Sequence, residues 1–192
     1  MPDSRLLTRR DFLLVAGVAA AAPAVLMVSR RLSGQSRPSD APGEVTIVEF
    51  TDDGVRKGSV TVPKVVKSDD AWHAQLKNEL TFDVARKGAT ERPFSGAYWN
   101  EHGKGLFRCV CCDTALFSSA AKFDSGTGWP SYWQPIAEDN VKHGSPSSGF
   151  TNSEVTCRRC DAHLGDLFDD GPKPTGLRYC IDSVSLKFIK AS

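Results

Sequence analysis

The sequence predicts a mainly β fold, a small β-barrel-like domain with a short helical part on its N-terminal side and a zinc knuckle made of four cysteines. Three observations support this prediction. From Leu106 onward, short apolar segments alternate with turns, and no further long amphipathic helix is evident. One helical segment precedes them, and two C-x-x-C pairs lie far apart in the chain.

The length and the charge of the chain limit its possible functions. Its 192 residues allow one domain of ordinary size plus some extra sequence. The formal net charge is +1, but residues 1–40 hold six Arg and no Lys, so the remainder is slightly acidic. Surfaces that bind nucleic acid need excess positive charge, so we expect no nucleic acid partner.

Residues 1–33 have the features of an export signal. Thr8-Arg9-Arg10-Asp11-Phe12-Leu13 is a twin-arginine motif, and an apolar run follows over residues 12–28. A short core helix is disfavoured because no polar face interrupts this run. The run is at the lower limit for spanning a bilayer, so the segment is either cleaved or kept as a membrane anchor. We expect export by the twin-arginine route, to the periplasm or to the outer face of the inner membrane.

A linker and two strands are predicted next. Residues 34–44 are rich in Ser, Pro and Gly, as flexible linkers are, so the domain is predicted to span residues 45–192. Residues 45–50 and 60–66 alternate in the manner of short strands, with a turn at residues 52–54.

A helix is predicted to begin at Ser68 and to end at Gly88. Ser68 has the side chain of an N-cap residue, and two acidic residues follow it. Trp72, Leu76 and Leu80 recur at a spacing of four and are predicted to face the core.

Two cysteine pairs predict a metal site formed by Cys109, Cys112, Cys157 and Cys160. Four thiolates complete a tetrahedral shell and leave no open position, which is typical of one structural zinc ion. A redox pair, disulfides or iron are alternatives that this spacing leaves open. Cys111 is left over as a spare thiol, a displaced ligand or a redox partner.

Cys180 lies outside every close-spaced pair. A Gly/Pro-rich loop at residues 171–176 precedes it, and an alternating run from Ile181 to Phe188 predicts a strand, so the thiol is expected at a loop–strand junction. Arg178 is close enough in sequence to favour the thiolate. Position alone leaves two interpretations open, a nucleophile and a small buried apolar side chain.

His163 follows Cys160 by three residues, but it is not needed as a ligand when four sulfurs are available. Its segment leads into the Gly/Pro-rich loop before Cys180. A His near a thiol can act as an acid, a base or a thiolate partner, and it can equally be structural.

Several motifs, taken together, resemble those of one family. They are Ser125-Gly126-Thr127-Gly128-Trp129-Pro130-Ser131-Tyr132, the two cysteine pairs, residues 90–96, His163-Leu164-Gly165, Asp170-Gly171-Pro172 and Arg178-Tyr179-Cys180. In this collinear order they resemble the B-type methionine sulfoxide reductases, here in an exported form with a twin-arginine signal. The resemblance covers about residues 69–190.

The resemblance implies thiol-dependent reduction of the R epimer of methionine sulfoxide, in a β fold with a zinc knuckle. Cys180 would be the nucleophile and would become a sulfenic acid. Trp129 would contact the substrate methyl group, while His163 and Arg178 would line the pocket, polarise the sulfoxide oxygen and favour the thiolate. The expected partners of a monomeric enzyme are oxidised proteins or free methionine sulfoxide and an external thiol reductant such as a thioredoxin-like protein.

Three residues depart from the family pattern. Thr127 stands where many members carry a resolving cysteine, so we expect direct reduction of the sulfenic acid by an external thiol, with resolution by Cys111 as the weaker alternative. Asp166 and Asp182 stand where the family often has His and usually has Asn. An ionised carboxylate there would raise the pKa of Cys180, whereas a buried protonated one could donate to the sulfoxide oxygen. We expect Asp166 or Asp182 to supply the proton, which would move best activity to lower pH than in family members with His and Asn. The alternative is that both carboxylates point to solvent.

Two other functions compete with this interpretation. A zinc-ribbon binding module without catalysis would be indifferent to Cys180. A thiol-disulfide oxidoreductase would use one C-x-x-C pair and would hold no stoichiometric zinc.

Overall fold

The fold is seen in a computed structural model that describes residues 42–144 and 153–192. These residues belong to one compact unit, Asp40–Ser192. The signal predicted for residues 1–33 lies outside the described residues, as does most of the linker predicted for residues 34–44, so these boundaries stay predictions. Within the described part, every helix is too short or too polar to cross a membrane.

The described residues form eleven strands in three antiparallel sheets, which confirms the predicted mainly β class. The strands are β1 (Glu44–Phe50), β2 (Arg56–Pro63), β3 (Gly105–Cys109), β4 (Ala115–Ser118), β5 (Lys122–Phe123), β6 (Ser131–Tyr132), β7 (Val141–Lys142), β8 (Ser153–Cys157), β9 (His163–Phe168), β10 (Arg178–Ile181) and β11 (Leu186–Lys190). The sheets have the orders β1-β2, β11-β3-β4 and β5-β6-β10-β9-β8-β7. Strand β10 therefore lies inside the six-stranded sheet.

Two short helices, α1 (Asp69–Leu76) and α2 (Glu79–Lys87), replace the single predicted helix. The Ser68 side chain caps α1 as expected. Lys77 then adopts a left-handed conformation with φ of 58°, and the Asn78 side chain accepts a hydrogen bond from the Thr81 amide to start α2. Gly88, with φ of 71°, ends α2 where the sequence predicts.

This break corrects the predicted core stripe. Trp72 is fully buried, but Leu80 is 45 % exposed. Because the helix restarts at Asn78, the spacing of four no longer holds across the break, and Phe82 and Ala85 face the core instead.

Aromatic packing determines which side chains of β10 face the core. The rings of Phe117 and Tyr132 stack with centroids 4.4 Å apart, and the Tyr179 ring lies 5.8 Å from that of Phe117. Since Tyr179 points into the core, the alternation of a strand turns its neighbour Cys180 to the opposite face.

The strand predicted from Ile181 to Phe188 is wrong in its continuity. Strand β10 ends at Ile181, a 3₁₀ turn follows over Ser183–Ser185, and β11 begins at Leu186. The interruption has a specific cause. The buried carboxylate of Glu91 accepts hydrogen bonds from the amides of Ser183 and Val184 at 2.6 and 3.1 Å, which satisfies them outside a sheet.

Candidate active site and metal centre

Cys180 lies within β10, not at the predicted loop–strand junction. It pairs with Ser131 on β6 and with Asp166 on β9. Residues directly opposite in antiparallel strands project to the same face of the sheet, so the thiol and the Asp166 carboxylate are neighbours. The sheet therefore brings a thiol and an acidic side chain together from adjacent strands.

A cavity of about 120 Å³ opens over this face. Four of the predicted site residues line it, namely Trp129, Asp166, Cys180 and Asp182, together with Thr90, Gly165 and Phe168. His163 and Arg178 are not among the lining residues, although each contacts one that is. The cavity is small and is lined by both apolar and polar side chains, which suits a side chain with an apolar part and a polar group.

Volume alone does not identify this site. A groove of about 440 Å³ lies beside β1 and β4, and Cys112 supplies the only thiol among its lining residues. Arg108, which lines this groove, already donates to Phe50 O, Asp113 O and Asp52. Chemistry therefore favours the smaller cavity.

The thiol of Cys180 has competing influences on its pKa. Burial raises this pKa above its ordinary value, and the charges of Asp182 and Asp166 act in the same direction. The Arg178 guanidinium and a hydrogen bond from the Thr127 side chain oppose the rise. The predicted effect of Arg178 has the right sign, but burial outweighs it. Thr127 therefore lies near the Cys180 thiol, and its hydroxyl oxygen is also 2.8 Å from Ser125 Oγ.

Arg178 is held firmly in place. Its Nε and Nη2 donate to the two carboxylate oxygens of Asp170 at 2.7 and 2.8 Å, and its guanidinium lies 4.2 Å from the centre of the Phe168 ring. This fork-shaped pairing fixes the plane of the guanidinium. Asp170 belongs to one of the motifs found in the sequence, but nothing in that motif indicates this role.

Asp182 is a buried carboxyl group with a raised pKa. It is only 2 % exposed, so the alternative that it points to solvent is wrong. Burial raises its pKa to about 7; the Glu91 and Asp166 charges also raise it, while a hydrogen bond from the Glu91 amide and the charge of His163 lower it. A substantial fraction of this group therefore holds a proton near neutral pH.

Glu91 connects the two sides of the cavity and was missed in the sequence. Its amide donates to Asp182 Oδ1 at 2.9 Å, and its carbonyl accepts from Trp129 Nε1 at 3.1 Å. Its own side chain holds the turn after Asp182. The loop at residues 90–96 stood out in the sequence, but nothing there indicated that its single Glu would be buried.

Glu91→Gln tests this connection. The amide retains only one oxygen as acceptor, so we expect the free energy of unfolding to fall by about 2 kcal/mol, measured by denaturant unfolding. Removing the charge should also lower the pKa of Asp182, because Glu91 raises it. Carbon NMR of the Asp182 carboxyl group measures that second effect, and an unchanged pKa would contradict it.

His163 lies between two carboxyl groups. Its Nδ1 is 2.8 Å from Glu154 Oε1, and its Nε2 is 3.7 Å from Asp182 Oδ2. The imidazole is largely buried, while the Glu154 side chain is 59 % exposed. His163 therefore borders the cavity through Asp182, and Glu154 was not singled out in the sequence.

The four thiols predicted as metal ligands lie together. The Sγ atoms of Cys109, Cys112, Cys157 and Cys160 are all within 4.8 Å of one another. Cys109 Sγ is 3.6 Å from Cys160 Sγ, and Cys112 Sγ is 3.5 Å from Cys157 Sγ. Sulfurs on a tetrahedral zinc ion would be ~3.8 Å apart for Zn–S bonds of ~2.3 Å, so the thiols fit such an ion.

The two knuckles have the same backbone design. The amide of Asp113 donates to Cys109 O at 2.9 Å, and the amide of Asp161 donates to Cys157 O at the same distance. Both Asp residues have left-handed backbones, with φ of 65° and 54°. Matched knuckles from distant segments favour a shared metal ion over a single redox pair.

Cys111 is buried inside the first knuckle and lies outside the four-thiol group. The Gln75 side chain donates to its carbonyl oxygen at 2.7 Å, which ties this part of the knuckle to α1. Cys111 thus belongs to the surroundings of the metal site.

Comparison with known proteins agrees with this geometry. Residues 77–190 match the SelR domain model. The peptide methionine sulfoxide reductase MsrB of Herminiimonas arsenicoxydans is 56 % identical over 126 residues, covering 65 % of this chain and 91 % of the relative. MsrB of Thioalkalivibrio sulfidiphilus is 52 % identical over 122 residues, covering 63 % and 88 %. The chloroplastic peptide methionine sulfoxide reductase B1 of Oryza sativa subsp. japonica is 54 % identical over 125 residues, covering 64 % of this chain and 58 % of the relative. The chain belongs to the SelR domain family, that of the B-type methionine sulfoxide reductases.

Proposed function

We propose that this protein reduces methionine R-sulfoxide, free or within proteins, to methionine with Cys180 as the nucleophile. The observation that carries the proposal is the cavity where Cys180, Trp129 and Asp182 meet. Membership of the SelR domain family supports the same reaction.

The positions of these groups support the following reaction. The Cys180 thiolate attacks the sulfoxide sulfur, the S–O oxygen takes a proton and moves to Cys180, and methionine leaves with its sulfur reduced. Cys180 is then a sulfenic acid. Trp129, fixed through its Nε1 by Glu91, presents an apolar face for the substrate methyl group. Arg178 supports the thiolate by its charge.

Asp182 supplies the proton in this proposal. It lines the cavity and has a pKa of about 7, so it is a better donor than an exposed carboxyl group. Asp166 stands opposite Cys180 and contributes a charge that raises both neighbouring pKa values.

The pH dependence tests the role of Asp182. We measure the rate constant for release of one methionine per enzyme without reductant. It should rise with pH as Cys180 ionises and then level off near pH 7, because each gain in thiolate is offset by loss of the Asp182 proton. In Asp182→Asn the levelling should disappear, and the rate constant at pH 6 should fall by about a hundredfold. Profiles unchanged by both Asp182→Asn and Asp166→His would contradict the proposal.

Return of Cys180 to the thiol state uses an external thiol. Thr127 cannot form a disulfide, and Cys111 belongs to the first metal knuckle. One reductant thiol attacks the sulfenic acid, water leaves, and a mixed disulfide with Cys180 forms. A second reductant thiol then attacks this disulfide, which releases the Cys180 thiol and forms the reductant disulfide. A Cys111–Cys180 bridge in mass spectra of the oxidised protein would overturn this step.

The metal ion is proposed to be zinc, one per chain, held by Cys109, Cys112, Cys157 and Cys160. When bound, it supplies a structural cross-link and takes no part in the reaction. The protein is further proposed to be exported by the twin-arginine route, periplasmic or membrane-anchored, monomeric, and served by a thioredoxin-like reductant.

The direct test compares the two epimers of a methionine sulfoxide peptide with dithiothreitol as reductant. We expect methionine from the R epimer alone. Without reductant, a sulfenic acid reagent should label Cys180 in the peptide map after addition of the R epimer. Absence of turnover with a fully metallated protein would reject the proposed function, and labelling at a C-x-x-C pair would favour a thiol-disulfide oxidoreductase.

A further inference from the structure

A row of three side chains runs from the surface to the cavity. Glu154 on β8 is exposed, His163 on β9 is largely buried, and Asp182 after β10 lines the cavity. The reaction proposed above uses Asp182 and gives no role to Glu154. The row therefore needs an explanation of its own.

The contact of Glu154 with His163 determines which ring nitrogen carries a proton. A carboxylate only accepts hydrogen bonds, so the 2.8 Å contact with Glu154 Oε1 requires a proton on Nδ1. In the neutral ring, Nε2 then has a free lone pair, and this nitrogen faces Asp182 Oδ2 at 3.7 Å. Catalytic hydrogen bonds are commonly longer before substrate binds than during reaction.

We propose that Glu154 is a positioning residue that holds His163 with Nε2 toward Asp182, so that Asp182 exchanges its proton with solvent through the imidazole. This inference rests on the proposed role of Asp182. After each reduction Asp182 is left ionised, and an imidazolium at His163 returns a proton to it. The neutral ring keeps its Nδ1 proton beside Glu154, and Nε2 takes the next proton from water that enters the cavity once methionine has left.

The charges around this row determine the direction of the effect. Asp182 faces His163 and Asp166 from β9, Glu91 from the loop after α2, and Cys180 from β10. A positive charge on His163 lowers the pKa of Asp182. Glu154 contacts Nδ1 and Asp182 faces Nε2, so Glu154 acts on Asp182 through the orientation of the His163 ring.

Two variants separate the parts of the proposal. Glu154→Gln keeps an oxygen that accepts from Nδ1 but removes the charge, whereas Glu154→Leu removes both. Glu49→Gln is the control, since Glu49 is an exposed residue of β1, in another sheet. Nitrogen NMR of the His163 ring reports the tautomer, and the pH profile for release of one methionine reports Asp182.

We expect wild type and Glu154→Gln to carry the proton on Nδ1, and Glu154→Leu to carry it on Nε2. In Glu154→Leu an Nε2–H group directed at Asp182 stabilises its carboxylate, so the levelling of the pH profile should move to lower pH, whereas Glu154→Gln should keep the wild-type profile. Thermal unfolding should match wild type. A Leu variant with the wild-type tautomer and pH profile would overturn the proposal. The NMR measurement tests the position of His163 and needs no turnover. An inactive wild type would therefore reject the proposed function, while the tautomers of the variants would still test the role of Glu154.

Discussion

Replacing Cys180 by serine is expected to lower the rate of methionine formation from the R-sulfoxide by at least about a thousandfold. Serine is similar in size to cysteine, so β10 and its pairing with Ser131 and Asp166 should persist. What is lost is the thiol that attacks the sulfoxide and accepts its oxygen in the proposed reaction, since an alcohol cannot form a sulfenic acid. The measurement is the initial rate with dithiothreitol as reductant, by chromatography of the peptide.

Cys111→Ser is the matched control because Cys111 is a second buried thiol outside the four-thiol group. We expect this variant to keep wild-type turnover with dithiothreitol. Substantial activity in Cys180→Ser would place the nucleophile elsewhere and would favour a binding module whose chemistry has another source. Loss of activity in Cys111→Ser with its metal retained would assign resolution to Cys111.

Removing one metal ligand is expected to have the largest effect on stability. Cys157→Ser should abolish stoichiometric metal and lower the free energy of unfolding by at least about 5 kcal/mol, because binding energy at a structural site is folding energy. The first knuckle packs against α1 through the Gln75–Cys111 contact, and the second continues directly from β8 into β9. Both elements that carry the site would loosen. Elemental analysis and thermal unfolding measure the two effects.

Cys111→Ser also controls for this experiment and should keep one ion per chain. A Cys157→Ser protein with unchanged metal content and melting temperature would show that the four thiols do not act as one site. Elemental analysis of the wild type identifies the ion and decides between zinc and iron.

The sequence predicts what depends on regular spacing and fails where the hydrogen bonds of one polar side chain redirect the backbone or hold the site. The two cysteine pairs, the capping residue Ser68 and the terminating Gly88 are local signals, and each lies where it was expected. Leu80 and the strand from Ile181 to Phe188 were misjudged because their conformations depend on Asn78 and on Glu91, whose effects a hydrophobic period cannot register.

The site shows the same division. Cys180, Trp129 and Asp182 were found through motifs, and they share one cavity. Glu91 and Glu154 were missed because their importance lies in hydrogen bonds across 91 and 9 residues of chain. The raised pKa of Asp182 likewise comes from burial, which the sequence around it does not reveal.

The small cavity over Cys180 also governs the order of events in the proposed cycle. In that cycle Thr127 cannot form a disulfide with Cys180, so the oxidised form must react with a second molecule, an external thiol, that enters the cavity after methionine has left. Substrate and reductant therefore bind in turn. The reduced form of the protein binds the sulfoxide, and the oxidised form binds the reductant thiol. A sulfoxide bound to the oxidised form blocks the reductant, and a thiol bound to the reduced form blocks the sulfoxide, so each inhibits the other's half-reaction.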